Sequence, residues 1–358
     1  MRTVKWNAFL SCLCILAGAM GGWAASARAD VTVDKGASVI VFPKVRADGT
    51  FDTIIQIANT GNSLVVAKCF YVNAVKAATG VCQETDFTIL LTKQQPTVWL
   101  ATSGRPYGQY GGIAPGAIPP MGTSFIGELK CIETDLTGAP VTGNHLKGEA
   151  TLKAVRTGTD ASTGLWVTAG DVAKHNALGI VGNPAATASN PLTLDGGATY
   201  AACPAKQILN FFPSGSDDLV VPSGQNFNEL TLVTCSEDFE NQIWPWVTVQ
   251  FLIFNSYEQR FSASTSFNCF LNKELTAIDV PSQGNPVNTS VFGVGVLQTD
   301  AAQVEITPVP PADNGNPAVI GLGERVLESL VGPSTRAGSN LFTKGDLPGD
   351  QIRMPTGF

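Results

Sequence analysis

Histidine and charged side chains are scarce in this sequence, and their scarcity excludes several classes of function. Only 14% of the 358 residues are charged and only two are histidines, whereas about 25% of residues are charged in an average soluble protein. Both histidines, His145 and His175, have polar neighbours and are expected at the surface. No G-x-S-x-G nucleophile motif or phosphate-binding glycine loop accompanies them. The sequence therefore indicates neither a hydrolytic triad nor a cofactor.

Basic residues are also in short supply. The formal net charge is −7, with 22 basic and 29 acidic side chains. Residues 1–29 hold three of the basic groups and no acid, so the remainder of the chain has a net charge of −10. Nucleic acids are bound through clustered Lys and Arg, and this balance excludes them as partners.

Long apolar runs are missing beyond the N-terminus. The longest later run, residues 247–254, is interrupted by Thr248 and Gln250, so no transmembrane helix is predicted there. Residues 1–29 combine a basic start, an apolar run over residues 8–20 and a small-residue site ending at Ala29. This pattern is typical of a cleaved signal peptide, and it predicts a periplasmic, cell-surface or extracellular protein.

Cysteine does not occur in C-x-x-C spacing, which argues against a zinc ribbon or a thioredoxin-like motif. Two cysteines lie in the predicted signal peptide and six follow it. An even number in an exported chain favours disulfides. Three fall in each half, so either at least one bond crosses the halves or one cysteine in each half stays free. The six are Cys69, Cys82, Cys131, Cys203, Cys235 and Cys269.

Two segments have the alternation and turn residues of β-hairpins. Residues 51–58 alternate, residues 59–62 (Asn-Thr-Gly-Asn) supply a turn, and residues 64–71 resume an apolar run. Residues 247–253 and 261–269 repeat this plan around a second turn. Runs with apolar residues on both faces are typical of central strands in a sandwich.

The predicted fold is therefore all-β, with two immunoglobulin-like β-sandwich domains or one extended double sandwich, held by disulfides. The sandwiches are expected at residues 30–165 and 195–307, joined by a linker or long loops at 166–194. Residues 308–358 are rich in Pro and Gly and predict a spacer and tail. Within them, residues 323–331 predict one short helix that ends at Gly332-Pro333.

These hairpins resemble those of bacterial immunoglobulin-like domains. Residues 39–73, 86–99 and 230–270 also look like segments of uncharacterised exported β-rich bacterial proteins. The resemblance covers about a third of the chain after the signal peptide, and its motifs are strand and disulfide positions. It implies a fold and an exported location but no activity.

Acidic residues follow three of the cysteines by two to four positions. Calcium prefers carboxylate oxygens, so these acids are candidate calcium ligands. The alternative is that each cysteine anchors a disulfide while the acids solvate the following turn. The candidates are Glu84, Asp86, Glu133, Asp135, Glu237 and Asp238.

Aromatic residues provide the candidates for ligand binding. Trp244 and Trp246 flank a proline before a strong strand, where two rings can form a platform for sugars. Tyr107 and Tyr110 lie in a long loop rich in Gly and Pro, a composition suited to recognition.

The residues favour an exported, non-enzymatic structural or adhesive protein that contacts a protein or polysaccharide at the cell envelope, with self-association as a further option. The alternative is a carbohydrate-binding module or a glycan-directed hydrolase that uses these aromatics. Its catalytic carboxylates would be a pair such as Glu128 with Glu133 or Glu84 with Asp86.

Overall fold

A computed structural model confirms the all-β fold class. No helix in the described part of the chain is both long enough and apolar enough to cross a membrane. The predicted signal peptide lies outside the described residues. Those residues are 31–75, 81–108, 115–217, 224–279, 287–309, 317–329 and 333–356.

The N-terminal half contains twelve strands, which are β1 (Val31–Thr32), β2 (Val39–Ala47), β3 (Phe51–Asn59), β4 (Val65–Asn73), β5 (Gln83–Leu91), β6 (Pro96–Leu100), β7 (Phe125–Thr134), β8 (Leu146–Ala154), β9 (Gly158–Thr159), β10 (Trp166–Val167), β11 (Val172–Asn176) and β12 (Leu178–Ile180). β9 and β10 pair with each other, and the other ten form one sheet with the central order β11-β8-β3-β2-β7-β4-β5.

This sheet folds over at the β2–β3 turn, where only Ala47 and Asp52 pair. Buried side chains from both parts of the folded sheet, among them Phe42, Tyr71 and Trp99, form one core. Trp99 Nε1 donates a hydrogen bond to the Tyr71 hydroxyl at 2.7 Å inside this core. We call this unit the first sandwich.

The C-terminal half contains thirteen strands, one short helix and two 3-10 turns. They are β13 (Leu192–Leu194), β14 (Cys203–Phe211), β15 (Ser216–Asp217), β16 (Gly224–Thr234), β17 (Glu237–Asp238), β18 (Trp246–Asn255), β19 (Arg260–Asn268), β20 (Phe270–Glu274), the turns Leu275–Ala277 and Val287–Thr289, α1 (Val294–Leu297), β21 (Ala302–Pro308), β22 (Val319–Ser329), β23 (Thr335–Asn340), β24 (Phe342–Leu347) and β25 (Asp350–Arg353).

Two sheets of this half face each other around a core that includes Leu230, Phe251 and Ile306. One sheet has the order β19-β18-β21-β14-β24, and the other has the order β15-β16-β22-β23 with β20 paired to β16. We call this unit the second sandwich. A small third sheet, β13-β25-β17, accompanies it.

The two sandwiches pack face to face, because strands at their junction are apolar on both sides. On β2, Ile40 points into the first core while Val39 and Val41 join a cluster with Val233 of β16. The rings of Phe70 and Phe239 stack there at 4.1 Å. The result is a stack of four β layers, and we call its middle contact, between the β2-β7-β4 surface and the β16-β22 surface, the central interface.

One predicted hairpin is confirmed and the other is wrong. β18 and β19 pair in antiparallel register from Trp246 with Asn268 to Phe254 with Arg260. β3 instead pairs with β6 and β8, and β4 with β5 and β7, so the turn at residues 59–62 connects two layers. The Asn59 amide supports this crossing by donating to the carbonyl of Ser63 at 2.7 Å.

The predicted helix at residues 323–331 is wrong over residues 323–329, which continue the strand β22; residues 330 and 331 lie outside the described residues. β22 pairs with β16 over eleven residue pairs and with β23 on its other side. These ladders override the helix-forming residues of the segment. The tail assigned to residues 308–358 thus supplies four strands, and the linker assigned to residues 166–194 contains β10 to β13.

All six predicted disulfide cysteines are paired, and one of the three bonds crosses the halves. Cys69 pairs with Cys131 on the neighbouring strands β4 and β7, and Cys203 pairs with Cys235. Cys82 pairs with Cys269, 187 residues away. This third bond ties the first sandwich to the second. The immunoglobulin-like strand order remains a prediction.

Candidate functional site

The central interface buries a group of charged side chains that sequence reasoning missed. Lys44 of β2 contacts Glu229 of β16 and lies 2.6 Å from Glu324 of β22, and all three side chains are fully buried. Arg336 of β23 binds Glu229 at 2.7 Å and Glu324 at 3.4 Å. With Arg46 and Asp160, described next, we call this group the Lys44 cluster.

Arg46 and Asp160 make a bidentate pair at one end of the Lys44 cluster. The guanidinium Nη1 and Nη2 donate to the two oxygens of Asp160 at 2.6 and 2.7 Å. Burial opposes the charge on Asp160, but the hydrogen bond and charge of Arg46 lower the pKa of Asp160 well below its usual range. This planar fork geometry makes the pair a strong one.

The local fold explains how a lysine enters so apolar a strand. β2 carries a bulge between Phe42 and Val45, where the register with β7 shifts. Pro43 sits in the bulge, a position that tolerates the missing backbone N–H. Lys44 follows it and reaches across the central interface to the second sandwich.

Neighbouring cations favour the ionised forms of Glu229 and Asp160 in the Lys44 cluster. Burial alone would raise the pKa of Glu229, but the charges of Lys44, Arg336 and Arg46 outweigh it and lower that pKa to about 2. Every carboxylate named in the cluster has a cation within 3.4 Å. The Lys44 cluster is therefore an ionic lock between the sandwiches.

A second buried group, the Lys130 cluster, consists of Lys130, Glu128 and Glu237. Lys130 Nζ lies 2.5 Å from Glu237 Oε2 and 3.6 Å from Glu128 Oε2, and all three side chains are 0–1% exposed. Lys130 and Glu128 are on β7, whereas Glu237 is on β17 of the second sandwich. Lys130 also donates to the carbonyl of Thr234 at 3.1 Å.

The charge balance of the Lys130 cluster differs from that of the Lys44 cluster, because one cation serves two carboxyls. Burial, and after it the charge of Glu237, raises the pKa of Glu128 well above its usual range. Burial opposes the charge of Lys130, but its two carboxyl neighbours outweigh burial and raise the pKa of Lys130. The surroundings of Glu128 therefore favour its protonated form.

Of the six acids predicted as calcium ligands, Glu84 and Asp86 lie on β5. Asp86 is half exposed and its carboxylate lies 3.6 Å from Lys68 Nζ. Burial, and then the charge of Asp86, raises the pKa of Glu84 to about 7. Glu84 is thus only partly charged near neutral pH.

Glu133 and Asp135 serve local structure around β7. Glu133 Oε1 lies 2.7 Å from His145 Nδ1, and its Oε2 accepts the backbone N–H of His145 at 3.1 Å. Exposed Asp135 accepts both the backbone N–H and the hydroxyl of Thr137 at 2.7 Å. Glu133 and Glu128 are an odd number of residues apart on one strand, so they point to opposite faces.

Glu237 belongs to the Lys130 cluster, while Asp238 accepts hydrogen bonds from Asn241 at the following turn. In the described part of the chain, no three of the six acids bring ligand atoms within 4.8 Å of one another. The group that does so is Cys203, Cys235 and Asp350, whose sulfurs are joined in a disulfide. Calcium binding stays a prediction.

The predicted aromatic residues occupy different environments. Trp244 is 9% exposed, packs edge-on against Phe239 and donates Nε1 to the Cys82 carbonyl at 3.0 Å. Trp246 is 58% exposed and Tyr107 is 66% exposed. Tyr110 lies outside the described residues. Trp244 and Trp246 therefore do not share one surface. Of these two residues, only Trp246 presents its ring to solvent.

Trp246 lines a cavity of about 400 Å³ between the two sandwiches. Apolar walls come from Val75, Ile126 and Phe270, at the edge of the central interface. Such a mixture of one aromatic ring, apolar walls and a few polar groups suits a small polar ligand. The polar side chains at the cavity are Ser162, Ser266, Asn268, Asn272 and Lys273.

Comparisons with known proteins are sparse. No protein-family model matches the sequence, and no curated protein matches it. A solved structure of protein 1070 from Thermotoga maritima is 7% identical, with a TM-score of 0.26, over 40% of this chain and 97% of that chain. A similarity at this level carries no information on function.

Replacing Lys44 by Met should lower the free energy of unfolding by about 3–5 kcal/mol, because buried Glu229 and Glu324 lose a cation. Urea denaturation at pH 7 measures this change. Lys206→Met is the matched control: its pair with Glu305 is partly exposed, and such pairs contribute about 0–1 kcal/mol. Equal effects of the two substitutions would contradict the ionic lock.

His175 predicts a specific dependence of stability on pH. It is buried, not at the surface as expected, because alternate residues of β11 point to opposite faces. Burial, and then the charge of Lys44, lowers its pKa to about 3. In the unfolded chain its pKa is about 6.5, so its contribution to stability is complete above pH 6.5 and is lost as the pH falls towards 3.

The difference in unfolding free energy between the wild type and His175→Gln should therefore change between pH 6.5 and 4.5, by up to about 1.4 kcal/mol per pH unit. The wild type should lose stability relative to the variant as the pH falls. Groups such as Glu84 titrate in both proteins and cancel in this difference. Parallel pH profiles would show that His175 is accessible to protons in the folded state.

Proposed function

We propose that this chain is an exported, non-enzymatic structural protein of the cell envelope that associates through an open edge of its second sandwich. The edge strand β19 carries this proposal. Three disulfides, one of them joining the halves, are consistent with an oxidising compartment outside the cytoplasm. The two ionic clusters of the central interface give the body a fixed shape from which an edge strand can project.

β19 has none of the devices that normally protect an edge strand. It pairs with β18 over nine residues without a bulge, and it has no other strand neighbour among the described residues. Its sequence, Arg-Phe-Ser-Ala-Ser-Thr-Ser-Phe-Asn, contains one charge and neither Pro nor Gly. Such an edge accepts a further strand through its backbone groups.

The partner that best fits this edge is a second copy of the chain. The segment from Phe261 to Phe267 is nearly symmetric about Ser264. Antiparallel pairing of two copies about Ser264 would set Ser262 opposite Ser266 and Ala263 opposite Thr265, with no like charges facing each other. This arrangement is the isologous twofold contact common in homodimers.

Ser264→Lys should abolish this association, since two lysines would then face each other at the centre of the paired edges. Light scattering coupled to size exclusion, across a concentration series of oxidised protein, should give dimers for the wild type and monomers for the variant. Gln250→Lys is the control, because it adds the same charge to the same face on the interior strand β18. A wild type that stays monomeric at every concentration would refute pairing through β19.

A second candidate function is glycan binding, and the observation that favours it is the cavity beside Trp246. An exposed indole over a cavity with Asn and Lys side chains suits stacking and hydrogen bonding to a sugar ring. Trp244 takes no part in this candidate, since its ring is buried.

Trp246→Ala should remove binding to an array of bacterial envelope glycans while leaving the melting temperature nearly unchanged. Tyr257→Ala, which removes another exposed ring on the turn after β18, should leave binding intact. Trp244→Ala should instead destabilise the fold by about 3–5 kcal/mol through the cavity it leaves. Absence of wild-type binding to the array, or binding that survives Trp246→Ala, would eliminate this second candidate.

A further inference from the structure

The Lys130 cluster combines an amine, an adjacent carboxyl and a second carboxyl in a buried site. Lys130 Nζ is 2.5 Å from Glu237 Oε2 and 3.6 Å from Glu128 Oε2. The side chains of all three residues are at most 1% exposed. The amine and the nearer carboxyl come from different sandwiches and are 107 residues apart.

We propose that Lys130 and Glu237 condense to an amide, which cross-links the two sandwiches, and that Glu128 is the acid–base group for this reaction. The cross-link is independent of the proposed association through β19. It makes this buried cluster a site of self-modification.

The proton count of the cluster permits this reaction. When Lys130 is charged and Glu128 is protonated, the three groups together carry two more protons than a neutral amine and two carboxylates would. Moving one proton from the ammonium to Glu237 gives a neutral amine and two neutral acids. This redistribution creates no net charge. Because the two carboxyls raise the pKa of Lys130, the neutral amine is the minor form from which the reaction proceeds.

The reaction balances as follows. The lone pair of Lys130 Nζ attacks Cδ of Glu237, and a new N–C bond forms. Glu128 accepts a proton from the nitrogen and donates one to the departing hydroxyl of Glu237. The C–O bond breaks, one water leaves, and Glu128 ends as the neutral acid with which it began. No oxidant, reductant or co-reactant is required.

The fold holds the amine and the carboxyl next to each other, an arrangement that the two groups lack in dilute solution. The Thr234 carbonyl holds the amine at 3.1 Å, and Lys130 Nζ lies 5.9 Å from the Phe239 ring centre. Phe70, the cross-strand partner of Lys130, stacks on Phe239 at 4.1 Å beside the cluster. Fixed reactants of this kind reach high effective molarities, and exclusion of water protects the product from hydrolysis.

The Lys44 cluster serves as an internal comparison, because its side chains should remain ion pairs and form no amide. Lys44 also contacts two buried carboxylates, but Arg336 binds both of them. The additional guanidinium charge of Arg336 stabilises the carboxylate form, which is a poor acyl donor. Two further acids interact with the Lys130 cluster: the charge of Glu237 raises the pKa of Glu84, and the charge of Lys130 opposes the raised pKa of Asp350. Neither adds a cation.

Intact mass measurement of the exported, reduced and denatured protein tests the proposal. Its major species should be one water lighter than the mass calculated from its own N-terminal residue. Digestion should yield a branched peptide that joins the Lys130 segment to the Glu237 segment. A mass that shows no loss of water would overturn the proposal. So would recovery of the two segments only as separate peptides.

Lys130→Arg and Glu128→Gln should each restore the missing water. The first removes the nucleophile but keeps the charge, and the second keeps the shape of the side chain but removes the acid. Lys44→Arg is the matched control and should leave the loss of water unchanged. Loss of water that persists in Lys130→Arg would also overturn the assignment. The peptide map of the wild type decides the question even where a variant fails to fold.

Discussion

Charge buried between two apolar sandwiches is the constraint on which the rest of this structure depends. Lys44 and Lys130 lie on the outer face of a sheet whose other face is already a core, so their charges are desolvated as soon as the sandwiches meet. The cost is offset only if Glu229, Glu324 and Glu237 arrive in register. Apolar contact alone would tolerate sliding, whereas a displaced ion pair would leave charges uncompensated.

Both clusters join the two sandwiches, but they differ in how many protons their side chains hold. In the Lys44 cluster, guanidinium groups bind the carboxylates, and the contact is purely electrostatic. In the Lys130 cluster, a retained proton converts the same residue types into a reactive set. The disulfide between Cys82 and Cys269 adds a third connection at the same interface. The sandwiches are thereby fixed to each other, and the contacts proposed for β19 and Trp246 lie at the periphery.

Sequence patterns predicted local β structure well. They failed where a strand or a charged side chain pairs with residues far away in the sequence. The β18–β19 hairpin followed from alternation around a turn, but the identical pattern at residues 59–62 joins opposite layers, because a short polar turn serves both geometries. Residues 323–329 contain good helix formers, and their ladders with β16 and β23 make them a strand. The pairing of Lys44 with Glu324 spans 280 residues, and no local signal encodes it.

The candidate site left one visible trace in the sequence. Glu128 and Lys130 are an even number of residues apart on a strand whose other positions from Phe125 to Ile132 are apolar or Gly, so both had to face one buried surface. Trp244 shows the opposite difficulty. Its neighbours resembled an exposed platform, and only packing against Phe239 and the Cys82 carbonyl distinguishes it from Trp246.

The order of the strands along the chain gives the buried lysines a role before the structure is complete. The first sandwich uses only residues 31–180, whereas the second needs β24 to pair with β14 and so closes only after residue 347. Until then, the β2-β7-β4 surface of the first sandwich exposes Lys44, Lys68 and Lys130 to water. Like charges on an otherwise sticky β surface act as gatekeepers against aggregation. The residues that hold the finished molecule together are thus also the ones that would give this face its charge before the second sandwich covers it.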